Sequence, residues 1–333
     1  MKKVFVAVLG VAFLTLGVVG VAHASLTEFI TFVGNVGYSS DGFGSVTQSG
    51  TISASVPAGA TVLGAYLYSG YNAFSGAPTP AGTTLNGNAV AFGPNVNNSD
   101  GCCGIGSARA DVTGIVKPII DGGGGGIYNF NVVEGSGGQD GEALVVVYSL
   151  PGLPVATVGI LDGFAATLGD TASINFADPL HPGNAGFFAE MIIGDNFSCC
   201  TSQRSTITVN GITITENAGN FDDGLQLANG SLITVGGFDD PFSPFLPSYA
   251  ADHERYNLVP YIVDGNTTIT VRTFNTSRDD NIFLALFHVF GRAGINEPPP
   301  PTDGVVPEPS SMLLLGSGLL GMAGFGRKRL IKK

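Results

Sequence analysis

Residues 206–215, Thr-Ile-Thr-Val-Asn-Gly-Ile-Thr-Ile-Thr, decide the fold class of the chain. Apolar and polar residues alternate on both sides of the Asn-Gly pair, and this pair accepts the positive φ angles of a two-residue type I′ turn. The pattern predicts a β-hairpin with one buried face and one face in water. Its register would place four apolar side chains on the buried face, with Val209 opposite Ile212 and Ile207 opposite Ile214.

The rest of the body repeats this pattern. Short runs of Val, Ile, Thr, Tyr and Phe are separated by Gly, Asn, Asp and Pro, which is typical of strands and turns. No run shows a sustained helical stripe of apolar residues. Residues 143–148 and 282–290 are apolar at nearly every position, so we predict strands buried on both faces. The fold class is therefore all-β.

The order of features recurs in two halves of the body. Each half has a strand, an Asn-Gly turn, a loop, two strands around a Gly turn, and a final apolar strand. The strand before the Gly turn is predicted at 111–116 in the first half and at 256–263 in the second half. We predict two tandem antiparallel β-sandwich (jelly-roll-like) units, 25–152 and 153–295, followed by a Pro-rich linker at 296–306. Alternation common to any β protein is the other explanation of this recurrence.

The first 24 residues have the pattern of a signal peptide. Lys2 and Lys3 precede an apolar run at 4–21, and Ala22-His23-Ala24 matches the small-x-small site of signal peptidase. We predict a signal helix over 1–24 and cleavage after Ala24, so that the mature chain starts at Ser25. An uncleaved membrane helix is the alternative.

Residues 307–333 form a second targeting pattern. Pro307-Glu308-Pro309 precedes a 14-residue apolar run at 312–325, and the cluster Arg327, Lys328 and Arg329 follows. As a helix the run covers roughly 21 Å, enough for a thinned bilayer. The cations would remain in the cytoplasm, so the body is placed outside the inner membrane.

This tail resembles those of PEP-CTERM proteins, the exosortase substrates of Gram-negative bacteria. The resemblance implies that exosortase recognises Pro307-Glu308-Pro309 while the apolar helix holds the chain transiently in the inner membrane. It further implies a destination at the cell surface or outside the cell, and an association with exopolysaccharide and biofilm. The body loosely resembles β-sandwich regions of other secreted surface proteins through residues 110–114 and 141–148. An ordinary membrane anchor is the alternative interpretation of the tail.

The charge of the body is strongly negative. Residues 25–306 hold seven Lys+Arg and 25 Asp+Glu, a net charge of −18. Such a charge excludes nucleic acid and anionic lipid as partners. It could attract Ca²⁺, for which the doublets Asp222-Asp223 and Asp239-Asp240 are candidate ligands. Solvated turns are the alternative, and no other cofactor is expected.

Four cysteines form two adjacent pairs, Cys102-Cys103 and Cys199-Cys200. Outside the cytoplasm disulfides are expected. Bridges between the pairs would connect the two halves, whereas bridges within each pair would only close local turns. Zinc is a third alternative, although adjacent thiolates chelate one ion poorly.

Motifs for catalysis are absent from the sequence: there is no Gly-x-Ser-x-Gly, His-Glu-x-x-His or phosphate-binding loop. His288 is predicted to be a core or edge residue, and residues 252–255 a solvated charged loop. The loop at 236–256, with Phe242, Phe245 and Tyr249, is the best candidate recognition surface. We therefore predict an exported, non-enzymatic surface or matrix protein, with a carbohydrate-binding or adhesive module and a secreted hydrolase as alternatives.

Overall fold

The computed structural model describes most of the body. The described residues are 25–44, 46–71, 80–93, 95–97, 105–136, 138–166, 169–196, 205–219, 221, 223, 232–275 and 282–300. The predicted signal helix (1–24) and C-terminal helix lie outside these residues. No helix of the described part is long and apolar enough to cross a membrane.

β-strands are the main secondary structure of the described residues. Those of the first half are β1 (Thr27–Gly34), β2 (Val36–Gly44), β3 (Ser49–Val56), β4 (Thr61–Tyr71), β5 (Thr84–Leu85), β6 (Asn88–Ala89), β7 (Val96–Asn97), β8 (Gly106–Asp111), β9 (Gly126–Val133) and β10 (Gln139–Ser149), with the helix α1 (Thr113–Asp121) before β9.

The second half continues in the same way. Its strands are β11 (Ala156–Asp162), β12 (Thr171–Phe176), β13 (Ala189–Asp195), β14 (Ser205–Val209), β15 (Ile212–Ala218), β16 (Thr234–Val235), β17 (Arg255–Asn257), β18 (Thr268–Asn275), β19 (Ile282–Phe290) and β20 (Ala293–Ile295). Two 3₁₀ turns cover Tyr249–Ala251 and Val259–Tyr261. The described part of the body is thus mostly β, with antiparallel sheets, as the prediction of an all-β fold implies in its coarse form.

The strands form four antiparallel sheets. Sheet I has the order β3-β9-β5-β6, and sheet II has the order β2-β10-β4-β8-β7. Sheet III is β1-β11-β19-β13-β16, with β17 also paired to β13. Sheet IV is β15-β14-β18-β12-β20. The first strand of the chain thus belongs to a sheet of the second half, because β1 pairs with β11.

Three apolar cores separate the four sheets, so the sheets stack in the order I to IV. In β10 the side chains alternate between cores: Val145 and Val147 face sheet III, whereas Leu144 and Val146 face sheet I. The same alternation holds for β19, where Leu286 faces sheet II and Phe287 faces sheet IV. Both strands predicted to be buried on two faces are therefore central.

The two halves have the same strand order. The order β2-β10-β4-β8 in sheet II corresponds to the order β11-β19-β13-β17 in sheet III. The order β3-β9-β5-β6 in sheet I corresponds to the order β12-β18-β14-β15 in sheet IV. The Asn-Gly turns correspond as well, since Asn86 and Asn210 both have a φ of 49°. The Oδ1 of Asn86 accepts a hydrogen bond from the Asn131 amide, and the Oδ1 of Asn210 accepts one from the Thr270 amide. A left-handed Asn before Gly thus closes the same turn in each half.

The hairpin at 206–215 differs from its prediction beyond the turn. Val209 lies opposite Ile212 as expected, but Ile207 lies opposite Thr215, not Ile214. A β-bulge adds one residue to β15, which brings Thr215 inward, where its hydroxyl donates to Asp252. Because β15 is an edge strand, Ile212 stays 45% exposed.

Two predicted strands are largely turns or helix. The strand predicted at 111–116 is wrong beyond Asp111, because Thr113–Asp121 forms α1, which buries Val116 and Ile120 one turn apart. The strand predicted at 256–263 ends at Asn257, whose Oδ1 accepts the Val259 amide at 3.0 Å and starts the 3₁₀ turn. At both positions a short polar side chain caps the first turn and ends the strand.

Candidate functional site

A cleft of about 180 Å³ lies at the edge of the core between the two central sheets. Sheets II and III and the loop at 236–256 all contribute to its walls. We call it the Glu190 cleft, and the residues that line it are Tyr38, Ser39, Tyr148, Glu190, Phe238, Arg255 and His288.

Glu190 contacts two other charged or polar side chains of the cleft wall. It belongs to β13, between His288 of β19 and Asn257 of β17. Its Oε1 lies 3.0 Å from the His288 Nδ1, and its Oε2 accepts a hydrogen bond of 3.2 Å from the Arg255 Nη2. Burial raises the pKa of Glu190, but the hydrogen bonds and charges of His288 and Arg255 outweigh burial, so its pKa lies below the ordinary value. Glu190 is therefore ionised near neutral pH.

Arg255 is held from three directions. Besides its bond to Glu190, the guanidinium donates from Nη1 to the Asp240 carbonyl oxygen at 3.0 Å. It also lies over the Phe242 ring, 4.6 Å from the ring centroid. Both partners, Asp240 and Phe242, come from the loop at 236–256, so this loop positions the arginine.

Aromatic rings surround the charged group. The His288 ring lies 4.5 Å from that of Phe188 and 5.4 Å from that of Tyr38, measured between centroids. Burial and the Glu190 charge raise the pKa of Tyr38 well above its ordinary value, so its hydroxyl stays neutral. A Cβ at Gly37 would lie 2.8 Å from the Tyr148 hydroxyl, so glycine is required for Tyr148 to occupy its place in the wall.

The arrangement provides hydrogen-bond donors and acceptors beside flat apolar faces. Its carboxylate is already paired with Arg255 and in contact with His288, and its lowered pKa makes it a poor general acid. The volume is below the roughly 300–1,000 Å³ of sites for drug-sized ligands. The cleft therefore suits one small neutral polar group, bound through charge-assisted hydrogen bonds.

A protein-family model described as the PEP-CTERM protein-sorting motif matches residues 305–329. The chain carries a PEP-CTERM sorting motif. No curated protein and no solved structure matches the chain. The motif identifies an exported protein that is sorted by exosortase through a membrane-anchored intermediate. The predicted family of the tail is thus confirmed.

Most predicted site residues of this chain lie outside the described residues. They are Ala22 and Ala24 of the cleavage site, Cys102, Cys103, Cys199, Cys200, Asp222, the sorting residues Pro307, Glu308 and Pro309, and the basic Arg327, Lys328 and Arg329. The disulfide pairing and both cleavages stay predictions. Ser25, the predicted first mature residue, is described, and its hydroxyl donates to Asp170 at 2.8 Å.

The structure brings three of the four predicted calcium ligands together. Asp223, Asp239 and Asp240 are electrostatic neighbours of Asp41 in β2, and we call these four residues the acid cluster. Burial, with the neighbouring carboxylates, raises the pKa of Asp41 to about 7 and that of Asp223 well above its ordinary value. No three His, Cys, Asp or Glu side chains in the described ranges are arranged to hold a metal ion. Calcium binding stays a prediction.

The residues at 252–255 differ from the solvated loop that was predicted. Asp252 and Glu254 are fully buried. Asp252 accepts hydrogen bonds from the Ser243 and Tyr256 hydroxyls, at 3.0 and 2.7 Å. These bonds fix the end of the loop next to Arg255.

Sequence reasoning missed Glu190 and its partners. The signal that could have found Glu190 is its position as the one charge in the apolar run 187–193. A carboxylate inside a strand buried on both faces needs a partner, because an unpaired buried charge is costly. The partners lie 65 and 98 positions away along the chain, so no local pattern connects them.

Proposed function

We propose that this chain is an exported, non-enzymatic protein of the cell surface or extracellular matrix, freed from the inner membrane by exosortase and associated with exopolysaccharide. The observation that carries the proposal is the sorting motif at residues 305–329. Two prolines in Pro307-Glu308-Pro309 disfavour helix, so we expect an extended backbone next to the apolar segment. A protease at the membrane surface can reach such a backbone.

The composition of the body agrees with this destination. Its net charge of −18 keeps it soluble and away from anionic lipid once the tail has been removed. We also infer that the body consists of two jelly-roll-like units, because eight strands of each half share one order over two sheets. Folds of this kind serve many functions, so the fold alone does not choose among them.

Replacing Pro307-Glu308-Pro309 with three alanines is expected to abolish release of the protein. The tail would remain in the inner membrane, since the element that exosortase recognises is lost while the apolar segment is kept. Fractionation of the producing cells, with detection of the body in membrane and culture medium, measures this. Alanines in place of Pro298, Pro299 and Pro300 are the matched control, because they change the linker outside the motif and should leave release unchanged. Identical distribution of the motif variant and the native chain would refute sorting at this site.

We propose as a second candidate that the Glu190 cleft binds a neutral saccharide unit. The supporting observation is the group of Glu190, Arg255 and His288 between the rings of Tyr38 and Phe188. Sugar hydroxyls hydrogen-bond well to charged side chains, and the apolar faces of sugar rings pack on aromatic rings. The exposed rings of Phe242 and Phe245 extend this surface along the loop at 236–256.

Arg255→Ala is expected to weaken binding of the neutral exopolysaccharide of the producing strain by at least about tenfold. The reason is that the variant loses one charge-assisted hydrogen bond to the ligand and no longer holds Glu190 in place. Affinity electrophoresis in gels containing that polysaccharide measures the change. Arg292→Ala removes an exposed arginine elsewhere in the second half and serves as the control. Equal retardation of Arg255→Ala and the native body would exclude the cleft as the binding site.

A further inference from the structure

The strand registers place Arg109 and Arg255 at equivalent positions in the two halves. In the first half, β4 and β8 pair Tyr66 with Asp111; in the second half, β13 and β17 pair Glu190 with Asn257. Each arginine lies two residues before the β8 or β17 member of its pair, and so points to the same face of its sheet.

The hydrogen bonds that follow each strand support this equivalence. The Val112 amide donates to the Ala65 carbonyl at 2.9 Å, and the Leu258 amide donates to the Ala189 carbonyl at 2.8 Å. The residue before each donor caps the next turn, since Asp111 accepts the Thr113 amide as Asn257 accepts the Val259 amide. The two segments therefore align without a gap around the arginines.

Arg109 has surroundings like those of Arg255. Its Nη1 forms an ion pair with Asp162, and its guanidinium lies 3.3 Å from the centroid of the Phe29 ring. The Tyr68 hydroxyl donates to the same Asp162 oxygen at 3.2 Å. Arginine, carboxylate, tyrosine and a stacked phenylalanine thus occur at both positions.

A cleft of about 220 Å³ opens beside Arg109. Ser107 and Arg109 of β8 form one wall, and Asp162 of β11 faces them from the other half. The side chains of Arg109 and Asp162 are 32% and 18% exposed, so both are accessible to a small ligand. Tyr68 connects this cleft to the core between sheets II and III, which the Glu190 cleft also borders.

We infer that the Arg109 cleft is a second binding site for a neutral saccharide unit, so that one body binds two polysaccharide segments. This inference rests on saccharide binding at the Glu190 cleft. In both clefts a carboxylate already balances the arginine, and the body is acidic, so an uncharged, hydroxyl-rich ligand fits better than an anionic one. The guanidinium has five N–H groups, which leaves donors for hydroxyls beside the ion pair.

Two sites on one body would join separate polysaccharide chains. The two clefts share no lining residue, so a ligand at one cleft leaves the residues of the other free to bind. Binding at two points raises the avidity for a long chain above that for a short fragment. A protein with this property would stiffen a matrix and not only decorate it.

Isothermal titration of the body with short fragments of the neutral exopolysaccharide of the producing strain tests the inference. The native body should bind two fragments, Arg109→Ala and Arg255→Ala one each, and the double variant none. Thermal unfolding of each variant shows that it is folded, and Arg109→Lys, which keeps the charge, should restore part of the affinity at the first site. The control Arg292→Ala should keep both sites.

The viscosity of the intact polysaccharide gives the second measurement. The native body should raise it, and either single variant should lose the increase while still binding fragments. If the native body binds one fragment and Arg109→Ala also binds one, the second site is overturned, while saccharide binding at the Glu190 cleft stands. Loss of all binding in both single variants would show one composite site and also overturn it. A native body that binds no fragment would refute saccharide binding at both clefts.

Discussion

The stability of the body is expected to fall by several kcal/mol as the pH rises from about 5 to about 8. The cause is a set of buried carboxyl groups whose pKa is raised, chiefly by burial: Asp41, Glu142, Asp223, Asp240, Asp252 and Glu254. An acid with a raised folded-state pKa holds its proton longer in the folded state than in the unfolded chain. The folded state therefore loses stability as the pH rises from the unfolded pKa to the folded one.

Asp41 gives the size of the effect. Its pKa rises from 3.8 to about 7 because burial and the charges of Asp239 and Asp240 outweigh its hydrogen bonds from the Ser53 and Gly42 amides. A shift of this size corresponds to up to about 4 kcal/mol of stability lost between pH 4 and pH 7. The pKa of Glu190 and of Asp121 is lowered, so their contributions are lost only in more acidic solution. The optimum is therefore expected near pH 4, where the raised carboxyl groups are still protonated.

Asp41→Asn is expected to raise the stability at pH 8 and to flatten its dependence on pH. The amide oxygen can still accept the Ser53 amide, but it carries no charge at any pH. Urea unfolding at pH 5, 6.5 and 8 measures the difference. Asp178→Asn, at an exposed position, is the matched control and should reproduce the native profile. If Asp41→Asn also follows the native profile, Asp41 is not a source of the pH dependence.

Leu286→Ala is expected to destabilise the whole body by about 2–5 kcal/mol, and Leu286→Asp to prevent folding. Leu286 is fully buried in β19 and packs in the core between sheets II and III. The cavity left by alanine weakens the core that joins the two halves. The carboxylate of aspartate would be buried in this apolar core without a partner. Since both halves share this core, their unfolding should be one transition.

Differential scanning calorimetry tests this coupling. The native body should show a single transition, and Leu286→Ala should shift all of it to lower temperature. Val263→Ala, at a side chain that is 68% exposed, is the control and should change the stability by less than about 0.5 kcal/mol. Two separate transitions, of which the variant moves only one, would contradict the shared core.

The sequence was sufficient to predict those turns and strands that depend only on neighbouring residues along the chain. Asn210-Gly211 specifies its turn, and the apolar runs 143–148 and 282–290 specify strands covered on both faces. A continuous apolar run shows that both faces are covered but not by which sheet, so the four-layer stack could not be predicted. The bulge at Ile214 depends on Asp252, which bonds to the neighbouring Thr215. The helix α1 depends on strand β4, against which it packs.

The candidate site was predictable only in part. The loop at 236–256, predicted as a recognition surface, contributes Phe238 to the wall of the cleft and Phe242 to the surroundings of Arg255. Glu190 and His288 come from strands that read as core, and their meeting depends on the pairing of β13 with β19. Pairing between distant strands leaves no mark in one sequence.

The intact mass of the chain recovered from producing cells tests the sorting account most directly. The account predicts a surface or culture-medium species that begins at Ser25 and lacks the apolar and basic segment 312–333. A full-length chain, uncut at both ends and dissolved in the cytosol, would contradict it.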